Sequence, residues 1–204
     1  MFISFEGIDG CGKTTQLELL QARLTQLEYS VCRTREPGGT LLAETIRNTL
    51  LHSADALEER TELLLFGAAR AQHVAEVIQP ALAKKQIVLS DRFADSSLAY
   101  QGGGLALDKL FIRAMNAFAT GDLQPDTTFF LDIDPQVGFE RRAGEKEDRI
   151  EARGLDFQKR VRAAFLDIAL EEPQRFIVLN ANQTREILHQ EIMDILHSRG
   201  LKLK

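Results

Sequence analysis

Eight consecutive residues carry the most specific chemistry in this chain. Gly7-Ile8-Asp9-Gly10-Cys11-Gly12-Lys13-Thr14 fits the phosphate-loop spacing G-x-x-x-x-G-K-[ST] and lies between an apolar run and a helical pattern. Glycines permit backbone conformations closed to other residues, so successive amide N–H groups can face phosphate oxygens. The helix N-terminus that follows adds the positive end of its dipole. Lys13 is then placed to reach the β- and γ-phosphates and the Thr14 hydroxyl to ligate Mg²⁺, with the loop from Gly7 through Thr15 holding ATP. Cys11 reads as a small filler, since no base stands beside it in sequence to make it a nucleophile. A phosphate loop alone leaves kinases, nucleotide switches and motor ATPases open.

Further polar residues stand where strands should end. Asp9 is a carboxylate inside a loop built for anions, which costs phosphate affinity unless it has another partner. Glu36 precedes Pro37-Gly38-Gly39, a turn that holds it at a strand's C-terminal edge, where open α/β sheets bind ligands; simple turn chemistry with an exposed acid fits equally well. Asp91-Arg92 follows Ile87-Val88-Leu89-Ser90 and should emerge at the same edge. An aspartate there suits Mg²⁺, and arginine's planar fork suits a phosphoryl group, while Asp132 competes for the metal. Phe66 and Arg70 lie four residues apart on one helix face and would form a small platform, although an aromatic at such a position is more often core. Arg47 is by default a surface arginine. His52, His73, His189 and His197 show no metal-ligand spacing.

These residues need a scaffold, and the apolar pattern supplies one. Short apolar runs at Phe2–Phe5, Ser30–Thr34, Ile87–Ser90, Thr127–Ile133 and Arg175–Leu179 suit buried strands. Between them run helical spacings such as Leu17, Leu20, Leu24 and Leu27, or Ile187, Ile192, Ile195 and Leu196. Alternation of this kind predicts a doubly wound α/β domain: a five-stranded parallel sheet with helices on both faces, one domain over residues 1–204. Two cysteines without paired or CxxC spacing, no signal-peptide pattern and no membrane-length apolar run predict a cytoplasmic protein with no membrane association. A net charge of -5 argues against nucleic acid as partner and for a small anionic ligand in a local basic pocket.

Four segments together resemble one family. Phe5-Glu6-Gly7-Ile8-Asp9-Gly10, Arg35-Glu36-Pro37-Gly38-Gly39-Thr40, Asp91-Arg92-Phe93 and Asp148-Arg149-Ile150-Glu151 are similar, in order and spacing, to the signatures of the thymidylate kinases. The resemblance covers nearly the whole chain. It implies a nucleoside monophosphate kinase fold and Mg²⁺-dependent transfer of the ATP γ-phosphoryl group to thymidine monophosphate, a step toward dTTP, in a homodimer. Kinases for other nucleoside monophosphates or deoxynucleosides would share the loop logic, whereas a G-protein switch would want an N-K-x-D signature that is absent. By the same resemblance Asp9 contacts the acceptor sugar, Glu36 helps organise the Mg²⁺ and phosphate region, Pro37 is among the substrate-binding residues, and Arg47 binds the acceptor phosphate. Phe66 stacks on the base, Arg70 donates to its carbonyl, Asp91 serves the metal, and Arg92 serves the phosphoryl group. Ser96, Ser97, Tyr100 and Gln101 line the acceptor, with Tyr100 near the sugar.

The phosphate loop has no arginine, and family members of this bacterial type usually carry arginines in a mobile lid instead. Here the lid is the polar stretch from about 141 to 153, expected to be exposed and mobile. Arg149 is the expected transition-state cation, with Arg142 second and Lys146 in the lid's interior.

Overall fold

Each apolar strand ends on a polar residue, so the sheet carries its chemistry along one edge. The computed structural model describes residues 1–53, 56–144 and 147–202. Strands β1 (Phe2–Glu6), β2 (Val31–Arg35), β3 (Ile87–Asp91), β4 (Thr127–Asp132) and β5 (Phe176–Asn180) form a five-stranded sheet of order β2-β3-β1-β4-β5 with every pairing parallel. All five expected strands are present with ends shifted by no more than one residue, because sheet pairing rather than local pattern fixes where a strand stops. Phe5 pairs with Asp91, and Arg35 also pairs with Asp91, so Glu6, Glu36 and Arg92 leave the sheet side by side. The central β1 has β3 on one side and β4 on the other, which is the switch point where open α/β sheets form their crevice.

Alternate residues feed opposite faces. Helix α1 (Lys13–Gln26) brings Leu17, Leu20 and Leu24 into the main core, where the Phe5 and Phe129 rings lie 5.3 Å apart. On the other face Phe2 meets Phe93 edge-on at 4.9 Å and packs with Val74, Ile78 and Val88. Burying each such aromatic contributes roughly 1.5–3 kcal/mol. Helix α2 (Leu41–His52) is capped by Thr40, whose hydroxyl accepts from the Ala43 amide. The helix that carries Phe66 and Arg70 is α3 (Glu59–His73), which continues through a widened π-turn at Val74–Ile78 into α4 (Gln79–Ala83). Pro80 has no amide N–H for the helical ladder, and the wider turn precedes it.

After β3 come α5 (Ala94–Ser97), a second π-turn at Leu98–Gly104, and α6 (Lys109–Thr120). β4 leads through α7 (Pro135–Arg141) to α8 (Leu155–Glu171), and the chain ends on α9 (Arg185–Ser198). Gly102-Gly103-Gly104 has a steric reason: a Cβ on Gly103 would lie 2.3 Å from Ala164 Cβ, and one on Gly104 2.4 Å from the Phe157 ring. α8 therefore rests directly on the backbone of this turn. Among the described residues no helix is long and apolar enough to cross a membrane.

Candidate active site

The loop leaves β1 and enters α1 with Gly7, Gly10 and Gly12 at φ 141°, 80° and 97°. At Gly10 the restriction is also steric, since a Cβ would stand 2.3 Å from the Gly138 carbonyl oxygen on α7. Lys13 Nζ donates to the carbonyls of Gly7 (3.0 Å) and Ile8 (3.1 Å) and lies 3.7 Å from Asp9 Oδ1. Gly7, Ile8 and Cys11 form the back of the loop, while Asp9, Gly10, Gly12, Lys13, Thr14 and Thr15 face a cleft of about 990 Å³. Burial pushes the Cys11 thiol up, in keeping with a filler.

Thr14 Oγ1 donates to Asp91 Oδ2 at 3.2 Å, so the two expected metal ligands meet. Asp132 is held in a two-pronged bond by Arg162 (2.6 and 2.9 Å), which removes it from competition. The described residues contain no cluster of three or more His, Cys, Asp or Glu able to hold an ion. A hydroxyl and one carboxylate fit Mg²⁺, which keeps several waters and takes substrate phosphate oxygens rather than an all-protein cage.

Asp9 and Arg92 stand where this cleft meets a second cavity of about 140 Å³; both residues line both spaces, as do Glu36, Arg47 and Glu151. Arg92 holds a left-handed φ of 69°. Its Nη2 donates to Asp9 Oδ1 (2.6 Å), its Nη1 to the Gly7 carbonyl (2.8 Å), and its guanidinium lies 5.0 Å above the Tyr100 ring. Burial opposes the Asp9 charge, yet Arg92 and Lys13 outweigh it and bring the carboxyl down to about 2. Burial pushes the Tyr100 phenol up, which keeps it neutral. Glu6 is a site residue with no role assigned from sequence. Wholly buried at the end of β1, it accepts from the Phe93 amide (2.7 Å) and Ser96 Oγ (2.6 Å), clamping the Arg92 turn to the phosphate-loop strand. Burial, then the charge of Asp95, pushes its carboxyl up to about 8. An acid ending an otherwise apolar strand was the available signal.

The smaller cavity gathers Pro37, Arg47, Phe66, Ser96, Ser97, Tyr100 and Gln101, as expected, together with Asp148, Ile150 and Glu151. Two expectations need correction. Arg70 is 1% exposed and absent from the cavity wall. It donates to Glu36 (2.8 Å), Ser97 Oγ (3.0 Å), Asn116 Oδ1 (2.6 Å) and the Phe93 carbonyl (3.1 Å), which uses four of a guanidinium's five N–H groups inside the fold. Glu36 is neither an exposed turn acid nor a free metal organiser. Its carboxylate is buried between Arg70 and His73 Nδ1 (3.0 Å), and His73 in turn bonds Thr34. Arg47 Nη1 donates to the Pro37 carbonyl (3.0 Å). Because Ser97 Oγ accepts from Arg70, its own O–H stays available to donate.

The lid expectation is corrected as well. Arg141, Ala143, Gly144 and Glu147 are exposed as expected, but residues 149–153 lie against α2 and α3: Arg149 donates to the Leu50 carbonyl (2.8 Å) and to Glu62 (2.6 Å), and Ile150 is buried. Arg149 is thus captured by a buried carboxylate away from the phosphate cleft, which Arg141 and Arg142 line instead. Arg141 reaches the Ala181 carbonyl (3.2 Å) and the Gly10 carbonyl (3.4 Å), and Arg142 pairs with Glu151 (2.8 Å). Glu145 and Lys146 lie outside the described residues.

With this geometry in place, similarity to known proteins is informative. The family model described as thymidylate kinase matches residues 5–192. A thymidylate kinase from Bifidobacterium longum subsp. infantis is 51% identical over 190 residues, covering 91% of this chain and 81% of that one. One from Deinococcus radiodurans is 47% identical over 201 residues, covering 98% of both. The crystal structure of thymidylate kinase from Ehrlichia chaffeensis at 2.15 Å resolution matches with a TM-score of 0.80 at 41% identity, covering 96% of this chain and 98% of the other.

Proposed function

The chain belongs to the thymidylate kinase family, and from that premise we propose that it transfers the γ-phosphoryl group of ATP to thymidine monophosphate. One observation supports the acceptor above others. The small cavity offers a hydroxyl donor on Ser97 and, because the Gln101 amide nitrogen donates to Glu62 (3.0 Å), an amide carbonyl acceptor on Gln101, beside the half-buried ring of Phe66. Thymine presents the complement: a ring N–H next to a carbonyl. Cytosine presents a bare ring nitrogen next to an amine, so both pairs would clash. In this proposal Arg70 positions Ser97 and does not touch the base.

Donor and acceptor meet at Asp9 and Arg92. Asp9 lining both cavities supports its contact with the acceptor sugar, and Arg92 there supports a fork aimed at the phosphoryl group. Pro37 and Arg47 flank the acceptor phosphate, Ser96 and Tyr100 the sugar side, and Glu36 holds the wall. Lys13 leaves the loop carbonyls for the phosphates. Thr14 and Asp91 would hold Mg²⁺, which supplies charge neutralisation across the β- and γ-phosphates when bound. No covalent intermediate is involved; the residues align two phosphates and offset charge.

The test is a coupled ADP-release assay with thymidine, deoxycytidine and deoxyadenosine monophosphates. kcat/KM for thymidylate should exceed that for deoxycytidylate by at least about 10²-fold, since a site built for an N–H leaves buried groups unpaired with the wrong base. Preference for deoxycytidylate would overturn the acceptor. A second measurement separates the lid arginines. Arg142→Ala should lower kcat by roughly 10²-fold or more if it supplies the arriving cation, whereas Arg149→Ala should chiefly lower Tm and raise the acceptor KM. The opposite split would restore Arg149 to the phosphates.

We also propose a homodimer, on the strength of exposed Leu64 on α3 and exposed Leu110, Phe111 and Phe118 on the neighbouring α6. A cytoplasmic setting fits the two free cysteines.

A further inference from the structure

Glu62 has no place in the reaction so far described, yet its buried carboxylate accepts four hydrogen bonds. It is fully buried on α3 and accepts from three side chains. Oε1 takes Gln101 Nε2 (3.0 Å) and Arg153 Nη1 (3.1 Å); Oε2 takes Arg149 Nη2 (2.6 Å) and Arg153 Nη2 (2.6 Å). One of these partners lines the acceptor cavity. The other two belong to the segment that follows the lid's tip and that also contributes Ile150 and Glu151 to the same cavity.

We infer that Glu62 is a positioning residue that fixes the polarity of the Gln101 amide and ties it to the docking of residues 149–153, so that lid seating and base recognition are a single event. This rests on the acceptor proposed above. A carboxylate can only accept, so the Gln101 NH₂ must face it and the carbonyl must face the base. Two arginines keep the carboxylate charged. Burial pushes the Glu62 carboxyl up, but hydrogen bonds from Arg153, Gln101 and Arg149 outweigh that and hold it below the ordinary carboxylate value. If residues 149–153 lift away, Glu62 loses both cations and becomes an uncompensated buried charge. Gln101 is then no longer held in one orientation. In the other direction, a base that bonds the Gln101 carbonyl stabilises the amide orientation that requires a charged Glu62, and hence the docked segment.

Glu62→Gln is the sharpest test, because it preserves shape while adding an NH₂ that can donate to Gln101 and allow its amide to turn. In a folded variant the ratio of kcat/KM for thymidylate over deoxycytidylate should fall at least tenfold, through thymidylate KM, while ATP KM stays within about twofold. Arg153→Gln removes one partner and leaves Arg149, so it covers the case of poor folding; a fall of about threefold is expected there. The coupling has its own readout in the native Glu62 background. Saturating thymidylate should slow amide exchange across 149–153 in the wild type, and Gln101→Ala at saturation should lose that protection although its only hydrogen-bonded link to those residues runs through Glu62. A wild-type enzyme with no preference for thymidylate would overturn the acceptor proposal and this inference with it. A wild-type preference that survives both substitutions, or protection retained in Gln101→Ala, would overturn this inference alone.

Discussion

Replacing Lys13 with alanine should lower kcat by at least about 10³-fold, roughly 4 kcal/mol, with thymidylate binding retained. The cation sits in the loop at 7% exposure, bonded to two loop carbonyls that have no further use for it once phosphates arrive. Its charge is worth most when the γ-phosphoryl group is between donor and acceptor, so the loss should fall on the chemical step. Single-turnover rates and calorimetric thymidylate binding separate the two. A kcat within tenfold of wild type would remove Lys13 from the transition state.

The second large effect is expected at Arg92. Arg92→Ala should reduce kcat/KM for thymidylate by about 10²- to 10³-fold, because one planar fork is lost at the point where both substrates converge. Arg92→Lys should recover little, since an ammonium lacks the planar fork by which Arg92 bonds the Gly7 carbonyl and Asp9 through separate nitrogens. A separate signature follows from Asp9. Its depressed carboxyl adds stability that is present above the ordinary value of 3.8 and is lost as pH falls toward about 2. Without Arg92 its largest opposing influence is gone, so an NMR titration of Asp9 should move up toward 3.8. An unmoved Asp9 titration would show that the ion pair is not formed in solution.

The phosphate loop and the sheet were legible because each is written in neighbouring residues: a contiguous glycine-lysine spacing and short runs buried on both faces. Thr14 with Asp91 followed once strand ends were known to share an edge, whereas the gathering of Phe66, Ser97 and Gln101 came from the family resemblance. Spacing could not tell whether Arg70 points into the cavity or into the core. That depends on Asn116, Glu36 and Phe93, each more than twenty positions away. Arg149 was misplaced for the same reason, since its partner Glu62 lies 87 positions earlier. A charged run such as 141–153 reads as solvated until the buried acid that receives it is found. Glu6 shows the converse, a polar residue hidden by an apolar context.

The contact between α8 and the turn at Gly103 and Gly104 bears on how this pocket can change. Backbone there meets Ala164 and Phe157 with no room for a single methyl group. Most pocket walls can drift by small steps, one side chain trimmed and another enlarged. This one has no such intermediate, because even a methyl group would force a shift of Ala164 or Phe157 on α8, a helix whose first residue, Leu155, is joined to the lid segment by Gly154 alone. On the acceptor site proposed above, new specificities would arise by exchanging the groups at Phe66, Ser97 and Gln101 and not by remodelling from behind.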